Sequence, residues 1–334
     1  MQRVVILGST GSLGIQTLEV LEKYKKYFKV IGLSANVNKD ILEKQAKRWN
    51  VRNFLLASEA GTKGLINLAS LKDADIIINV LSGIAGINPS IAALKDGKIL
   101  LLGNKESLIA EGEKVMKLAG LSLHSATAKS FLVPLDSEHN AIFEILQKFP
   151  HKKIERIVLP CSGGPFYGKS ATAILKVSVA DALNHPRWKM GPKISIESAT
   201  LINKGLEIIE AHFLFNLPLS KISAIYHPEC QIHGAVKFKN EKFLTAYVSN
   251  PDMCEHIENA LRRAAGLRQK IKNFQKILPS SLTPLSSKTL PGLSLTIKFF
   301  KNNPKKMKQF LHREEKIIAK FLANKIKFPE IFKL

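Results

Sequence analysis

A chain of 334 residues, 45% of them hydrophobic, is long and apolar enough for two or three packed domains and excludes a disordered protein. Three scattered cysteines, Cys161, Cys230 and Cys254, exclude a disulfide framework and a Cys-x-x-Cys zinc site, so a reducing, cytoplasmic setting is expected. The formal charge of +23 gathers late, with 16 Lys or Arg against 3 acids from Arg268 onward. These cations lack aromatic interleaving and any nucleic-acid motif, so an anionic, phosphorylated substrate accounts for them better than nucleic acid does.

The N-terminus is too short in its apolar run for a signal peptide, and no run approaches the ~18 residues of a membrane span. Residues 3–7 read as a buried strand running into Gly8-Ser9-Thr10-Gly11-Ser12-Leu13-Gly14, after which Ile15, Leu18, Val20 and Leu21 recur at helical spacing. Strand, glycine turn and helix in that order form the context of a dinucleotide site, where pyrophosphate rests on the helix N-terminus. A second strand over 28–34 ends at Ala35-Asn36-Val37-Asn38-Lys39. The carboxylate that would bind a 2′-hydroxyl is missing there, which favours NADP over NAD.

Further strands are expected over 53–57, 74–80 and 99–102, with helical patterns between them. The alternation predicts a doubly wound α/β domain with a parallel sheet. Small-residue loop 82–86 follows one strand, and Gly103-Asn104-Lys105-Glu106-Ser107 follows another. Lys105, flanked by an amide and an acid, is either a residue facing cofactor and substrate or part of an ordinary helix start with Asn104 as cap.

The chemistry concentrates in Leu135-Asp136-Ser137-Glu138-His139-Asn140 and in 198–207. If the first stretch is extended, Asp136 and Glu138 point the same way, and two neighbouring acids suit a divalent cation. The alternative for such a pair is a solvated strand edge. Glu207 supplies a third carboxylate, with Ser198, Asn203 and Lys204 placed to grip an anion. Asn203 and Glu207, four apart on a helix, share a face. Residues 141–146 read as helix, 154–159 and 222–226 as strands. Ser162 before Gly163 and Gly164 offers a small anion nest or simply a tight turn. His185-Pro186-Arg187-Trp188-Lys189-Met190-Gly191-Pro192 is neither regular helix nor strand; it reads as a flap with His185 at its base, or as a loop anchored in a core. His227 and His233 read as structural.

Taken together, these motifs resemble one family, 1-deoxy-D-xylulose 5-phosphate reductoisomerase. The matching residues are Gly8–Gly14, Gly103–Leu108, Pro134–Phe143, Ser162–Phe166, His185-Pro186 with Trp188, Met190 and Gly191, Ser198–Thr200 with Asn203–Glu207, and Asn250–Met253. The resemblance implies NADPH contacts at Thr10, Gly11, Ser12, Leu13, Asn36, Asn38, Asn104, Glu106 and Gly191. It implies Mg2+ or Mn2+ ligands at Asp136, Glu138 and Glu207, and substrate contacts at Lys105, Ser137, Glu138, Ser162, His185, Ser198, Asn203, Lys204 and Glu207. Lys105, His139 and His185 join the three acids as catalytic candidates; Trp188 and Met190 would close the flap, and His233 and Met253 would line the pocket.

The implied organisation is a Rossmann-like NADPH domain over 1–135 and an α+β catalytic and dimerisation domain over 136–265 with its flap at 185–192. A linker over 266–294 and a short basic helical region over 295–334 complete it. The implied protein is a homodimer acting on a small phosphorylated sugar, without membrane or nucleic acid. Two alternatives stand beside it: another NADP-dependent phospho-aldehyde reductase, and a non-catalytic or nucleic-acid-binding relative using the basic tail. Three departures from the family pattern are Asn36 and Val37, where small or basic residues are usual, Cys254, where an arginine is usual, and Leu311–Lys316 in place of an Asn-Ala-Ala-Asn-Glu-type segment.

Overall fold

Val4, Val5, Ile6 and Leu7 form an unbroken apolar run, and all four are fully buried in strand β1 (Gln2–Leu7). A strand covered on both faces has no polar side to show, which is why alternation is absent. In a computed structural model of the chain, residues 1–120, 132–188, 190–269, 273–286, 288 and 290–334 are described. They divide into two units, Met1–Pro150 with Asp252–Lys272, and His151–Pro251 with Asn273–Leu334.

In the first unit β1 pairs in parallel with β2 (Phe28–Ala35), which carries β3 (Asn53–Leu56) at the edge. On its other side β1 pairs with β4 (Ile76–Asn79), followed by β5 (Ile99–Leu102) and β6 (Leu132–Pro134), again all parallel. The order β3-β2-β1-β4-β5-β6 reverses direction between β1 and β4. That reversal opens a crevice at the carboxyl ends of the strands, where ligands of such sheets bind. Strand β6 is an addition to the sequence expectation; its three residues are too few to show a period.

The turn after β1 is glycine-dependent for two distinct reasons. Gly8 has φ +92°, a left-handed backbone that disfavours a side chain. At Gly14 the obstacle is space, since a Cβ would lie 2.3 Å from the Gly8 carbonyl oxygen. Gly14→Ala is expected to destabilise the first unit by about 1–3 kcal/mol, the usual range for forced overpacking. An unchanged denaturant midpoint would show that the turn can relax.

The helix Met253–Ala264 belongs to the first unit although it follows a hundred residues of the second. Arg263 donates to both oxygens of buried Glu144 at 2.9 and 2.6 Å, and Gln2 Nε2 donates to the Ala264 carbonyl at 3.2 Å. A forked guanidinium–carboxylate contact fixes orientation as well as distance. The packing division therefore runs elsewhere than the expected boundaries at 135 and 265: Ser137–Lys148 and Met253–Ala264 pack with the nucleotide-type sheet.

In the second unit β7 (Ile154–Cys161) is central, parallel to β8 (Ile222–Tyr226) and antiparallel to β9 (Ile232–Phe238). The sheet extends through β10 (Leu244–Val248) to β11 (Phe274–Ile277) on one side and from β8 to β12 (Thr283–Pro284) on the other. A parallel pair needs a crossover, and the helices Pro192–Thr200 and Ile202–Phe215 lie within the one between β7 and β8. The expected linker over 266–294 is corrected here. It supplies β11 and β12 and opens the helix Gly292–Asn302; its edge strands are short, with Gln275 and Lys276 exposed, so their pattern does not announce a strand.

Helix Gly292–Asn302 crosses Ile202–Phe215 at close range, because a Cβ at Gly205 would lie 2.8 Å from Thr296 Cβ and one at Gly292 would lie 2.2 Å from the Thr200 carbonyl. The last helix, Met307–Leu322, and the C-terminal turn Phe328–Phe332 close a ring cluster in which Phe328 meets Phe166, Phe321 and Phe332 edge-on at 5.1, 5.6 and 5.8 Å. No helix among the described residues is long and apolar enough to cross a membrane.

Candidate functional site

In the first unit the site residues gather along the carboxyl edge of the parallel sheet. Thr10 is half-buried and Gly11 and Ser12 are exposed at the start of the helix Ser12–Lys23, which no side chain caps. Its first-turn N–H groups thus face outward, as an anion site requires. The turn is held from behind: Gly8 N donates to Ser34 Oγ at 3.1 Å, and Gln45 Nε2 donates to the Ser9 carbonyl at 2.9 Å. Asn36 and Asn38, at the end of β2, are exposed.

Asn104 and Glu106 are placed differently from the outward-facing turn. Asn104 is fully buried, its amide donating to Leu81 O, Gly83 O and Glu106 Oε2 at 3.0, 2.8 and 2.9 Å, while its oxygen accepts from Ser107 N at 3.1 Å. Glu106 Oε1 accepts from Gly83 N at 2.8 Å. The pair shapes loop 81–86 from inside, and the capping geometry left open by the sequence is present. Asn79, which the sequence reading passed over, braces the same loop by donating to Gly86 O and Ser90 Oγ. An asparagine closing the apolar run Ile76-Ile77-Ile78 was the available signal.

Lys105 lies between Asn104 and Glu106, at the start of the helix after β5, and its Nζ donates to Asp136 Oδ2 at 2.9 Å. The acid pair itself is a correction. Asp136 and Glu138 do not lie in an extended segment: Asp136 is the N-cap of helix Ser137–Lys148 and Glu138 stands in its first turn. Asp136 Oδ1 accepts from Glu138 N at 3.3 Å, so the capping preference of aspartate overrides the strand reading. Ser137 Oγ donates to Glu138 Oε2 at 2.5 Å. Buried His139 sets Nδ1 3.2 Å from Asp136 Oδ1.

Burial alone would raise the Asp136 carboxyl pKa, but the Lys105 ammonium, with His139 behind it, holds it well below the usual carboxylate range. Asp136 therefore stays ionised, and with Glu138 it presents hard oxygen donors, the set that Mg2+ or Mn2+ prefers. The residues present fit such an ion.

The second unit assembles its own group around the end of β7. Glu207 is 2% exposed, with Asn203 Nδ2 donating to one carboxylate oxygen and Lys204 Nζ to the other. Lys204 Nζ also donates to the Pro160 carbonyl, which ties the helix N-terminus to the strand end. The amide and ammonium expected to grip an anion are thus turned onto Glu207 in this structure. Leu201, at φ +61°, separates the helices Pro192–Thr200 and Ile202–Phe215 by a left-handed joint.

Ser162, Gly163 and Gly164 follow β7; a Cβ on Gly164 would lie 2.8 Å from the Ser198 carbonyl, so the glycine admits Ser198's helix against the loop. His185 Nδ1 accepts from Arg187 N at 3.2 Å and Trp188 N at 3.1 Å, so in the neutral ring Nε2 carries the proton and donates to Ser162 Oγ at 3.1 Å. Gly164 N donates to the same hydroxyl at 3.2 Å, which leaves the hydroxyl's own proton for an external acceptor. Ser162, His185, Ser198, Asn203, Lys204 and Glu207 are thereby brought together within one unit.

Around them Trp188 and Met190 are half-buried and Gly191 is exposed; Lys189 of the expected flap lies outside the described residues. His233 Nε2 stands 3.2 Å from the Asn250 carbonyl, and its ring meets Tyr247 edge-on.

Burial lowers the His185 pKa to about 4. A histidine whose folded pKa lies below its unfolded value of about 6.5 contributes stability that is complete above that value and is lost as pH falls toward 4. Its ring resonances are expected to titrate near 4, and the Arg187 and Trp188 amides to lose protection over the same window. A midpoint near 6.5 would contradict the burial argument.

With this geometry in view, the comparisons with known proteins are decisive. The sequence matches the family 1-deoxy-D-xylulose 5-phosphate reductoisomerase over residues 4–61 and 55–112, and that family's C-terminal domain over 132–215. It is 37% identical over 366 aligned positions to the reductoisomerase of Thermodesulfovibrio yellowstonii, covering 100% of this chain and 91% of the relative. The chain belongs to the 1-deoxy-D-xylulose 5-phosphate reductoisomerase family.

The reductoisomerase of Halothermothrix orenii is 40% identical over 295 positions, 83% of this chain and 74% of that one. Among solved structures, a DOX-P reductoisomerase in complex with NADPH, fosmidomycin and magnesium superposes with a TM-score of 0.86 at 31% identity, over 99% of this chain and 87% of that one. The Zymomonas mobilis reductoisomerase in complex with NADPH gives 0.82 at 31% identity, over 99% and 89%. Family membership favours the reductoisomerase reading over another NADP-dependent phospho-aldehyde reductase.

Proposed function

We propose that this chain isomerises 1-deoxy-D-xylulose 5-phosphate and reduces the product with NADPH to 2-C-methyl-D-erythritol 4-phosphate, a step of isoprenoid biosynthesis. The observation that carries the reading is the array Lys105–Asp136–Glu138 at the carboxyl ends of β5 and β6, on the sheet edge that also bears the open glycine turn. A relative of known structure binds NADPH and magnesium, in keeping with that array.

Gly11, Ser12 and Leu13, with Asn36 and Asn38 beyond them, would hold the dinucleotide, which when bound would supply the hydride. Asp136, Glu138 and Glu207 would hold Mg2+ or Mn2+, which would supply Lewis acidity toward substrate oxygens. Lys105 holds a proton beside Asp136 and can move it to or from the reacting oxygen. Ser162 directs its hydroxyl proton at the substrate phosphate, with Ser198, Asn203 and Lys204 about it, and His185 fixes that hydroxyl. Trp188 and Met190 exclude water when the flap closes, a motion that phosphate binding remote from the reacting carbons can drive. The protein acts in the cytoplasm as a homodimer.

The test is NADPH absorbance with 1-deoxy-D-xylulose 5-phosphate and Mg2+ or Mn2+, repeated with excess chelator. Metal-dependent oxidation of NADPH is expected. A folded, NADPH-binding protein without turnover would sink the reading.

A further inference from the structure

The turn that presents the acid pair is tied down by one residue, Asn140. Its backbone N–H donates to the Asp136 carbonyl at 2.8 Å and its side-chain Nδ2 to the Pro134 carbonyl at 3.0 Å. Both ends of Pro134-Leu135-Asp136 therefore hang on one residue. The amide can serve Pro134 only if its oxygen points the other way, and there it meets His256 Nδ1 at 3.1 Å. Since Asn140 Oδ1 is an acceptor, His256 Nδ1 must be the donor.

Both side chains are fully buried, so water does not substitute for either contact. His256 itself sits on a fastened element. Its helix is capped by Asp252, which accepts from Cys254 N at 2.8 Å, and is locked at its far end by the Arg263–Glu144 fork.

We propose that His256 is a positioning residue for the Asp136–Glu138 pair, acting through Asn140 to set the turn that aims the two carboxylates at a divalent cation. The inference rests on the functional reading above. Outer partners of a ligand set typically cost tenfold to a hundredfold in metal affinity when removed.

The test is Mn2+ binding to the full chain, followed by the paramagnetic resonance of the unbound ion, with NADPH binding measured in parallel. His256→Leu keeps bulk but removes the donor; about a tenfold loss of Mn2+ affinity is expected with NADPH affinity unchanged. His256→Asn puts an amide donor near the old Nδ1 position and should restore Mn2+ binding to within about threefold. Should His256→Leu not fold, Asn140→Asp keeps the acceptor for His256 but sets an oxygen against the Pro134 carbonyl, and it should show the same selective loss.

Mn2+ binding in these variants equal to that of the unaltered chain overturns the proposal. So does a parallel loss of Mn2+ and NADPH affinity, the mark of general loosening. Glu138→Gln separates the two levels: if the unaltered chain shows no Mn2+ binding that this change removes, the metal reading fails and the positioning role with it.

Discussion

Glu207→Gln is expected to lower kcat/KM by about a thousandfold or more while the protein stays folded. A cation that stabilises developing charge contributes several kcal/mol, and each 1.36 kcal/mol is about tenfold in rate. The choice of glutamine matters because of where Glu207 sits. Its carboxylate receives Asn203 on one oxygen and Lys204 on the other, and it is 2% exposed. Alanine would remove the charge that balances a buried ammonium together with both acceptor oxygens and the buried side-chain volume. Loss of activity in Glu207→Ala would then confuse instability with chemistry. Glutamine loses the same charge but keeps the side-chain volume and one acceptor for Lys204, so it is the milder change; a protein that still folds and binds NADPH, joined to a large loss of turnover and of Mn2+ binding, isolates the ligand role. Near-normal turnover in Glu207→Gln would remove Glu207 from the cation site.

The sequence was most legible where a local rule and a long-range demand agree. Residues 3–14 announce a strand and a dinucleotide turn because buried aliphatics and glycine spacing are both local, and Gly14 has no room for anything else. Asp136 and Glu138 were identifiable as a pair, but their backbone was not. The same two-residue spacing fits a strand face and an N-cap with its first turn, and only the bond from Glu138 N to Asp136 decides.

Strand β9 hid behind His233 and Gly234, which interrupt its alternation, and β11 behind an exposed Gln275-Lys276 edge. Least legible of all was the return of Met253–Ala264 to the first unit. That return depends on Arg263 reaching Glu144 and His256 reaching Asn140, separations of 119 and 116 residues that no local pattern encodes. Lys204 illustrates a different limit: its position in the site was readable, yet its donors go to Glu207 and Pro160.

The C-terminal region yields the other large expected effect. Its segment Leu311–Lys316 supplies Glu314, whose carboxylate is fully buried and stands 3.3 Å from Lys193 Nζ. The same ammonium donates to Glu197, 3% exposed, on the helix that also carries Ser198. Two buried acids thus share Lys193 as a cation, two residues beyond Gly191 at the end of the flap segment.

Lys193→Met should therefore cost about 3–5 kcal/mol of stability in the second unit at neutral pH, because the apolar stem is replaced but both carboxylates lose their shared cation. Glu314→Gln removes one of those charges and should soften the effect, so a double-mutant cycle is expected to give a favourable coupling of about 1–3 kcal/mol. Additive losses would mean that Lys193 and Glu314 do not interact. A coupled loss places the last helix in direct charge contact with the element that carries Ser198, through Lys193 rather than through any residue of the site.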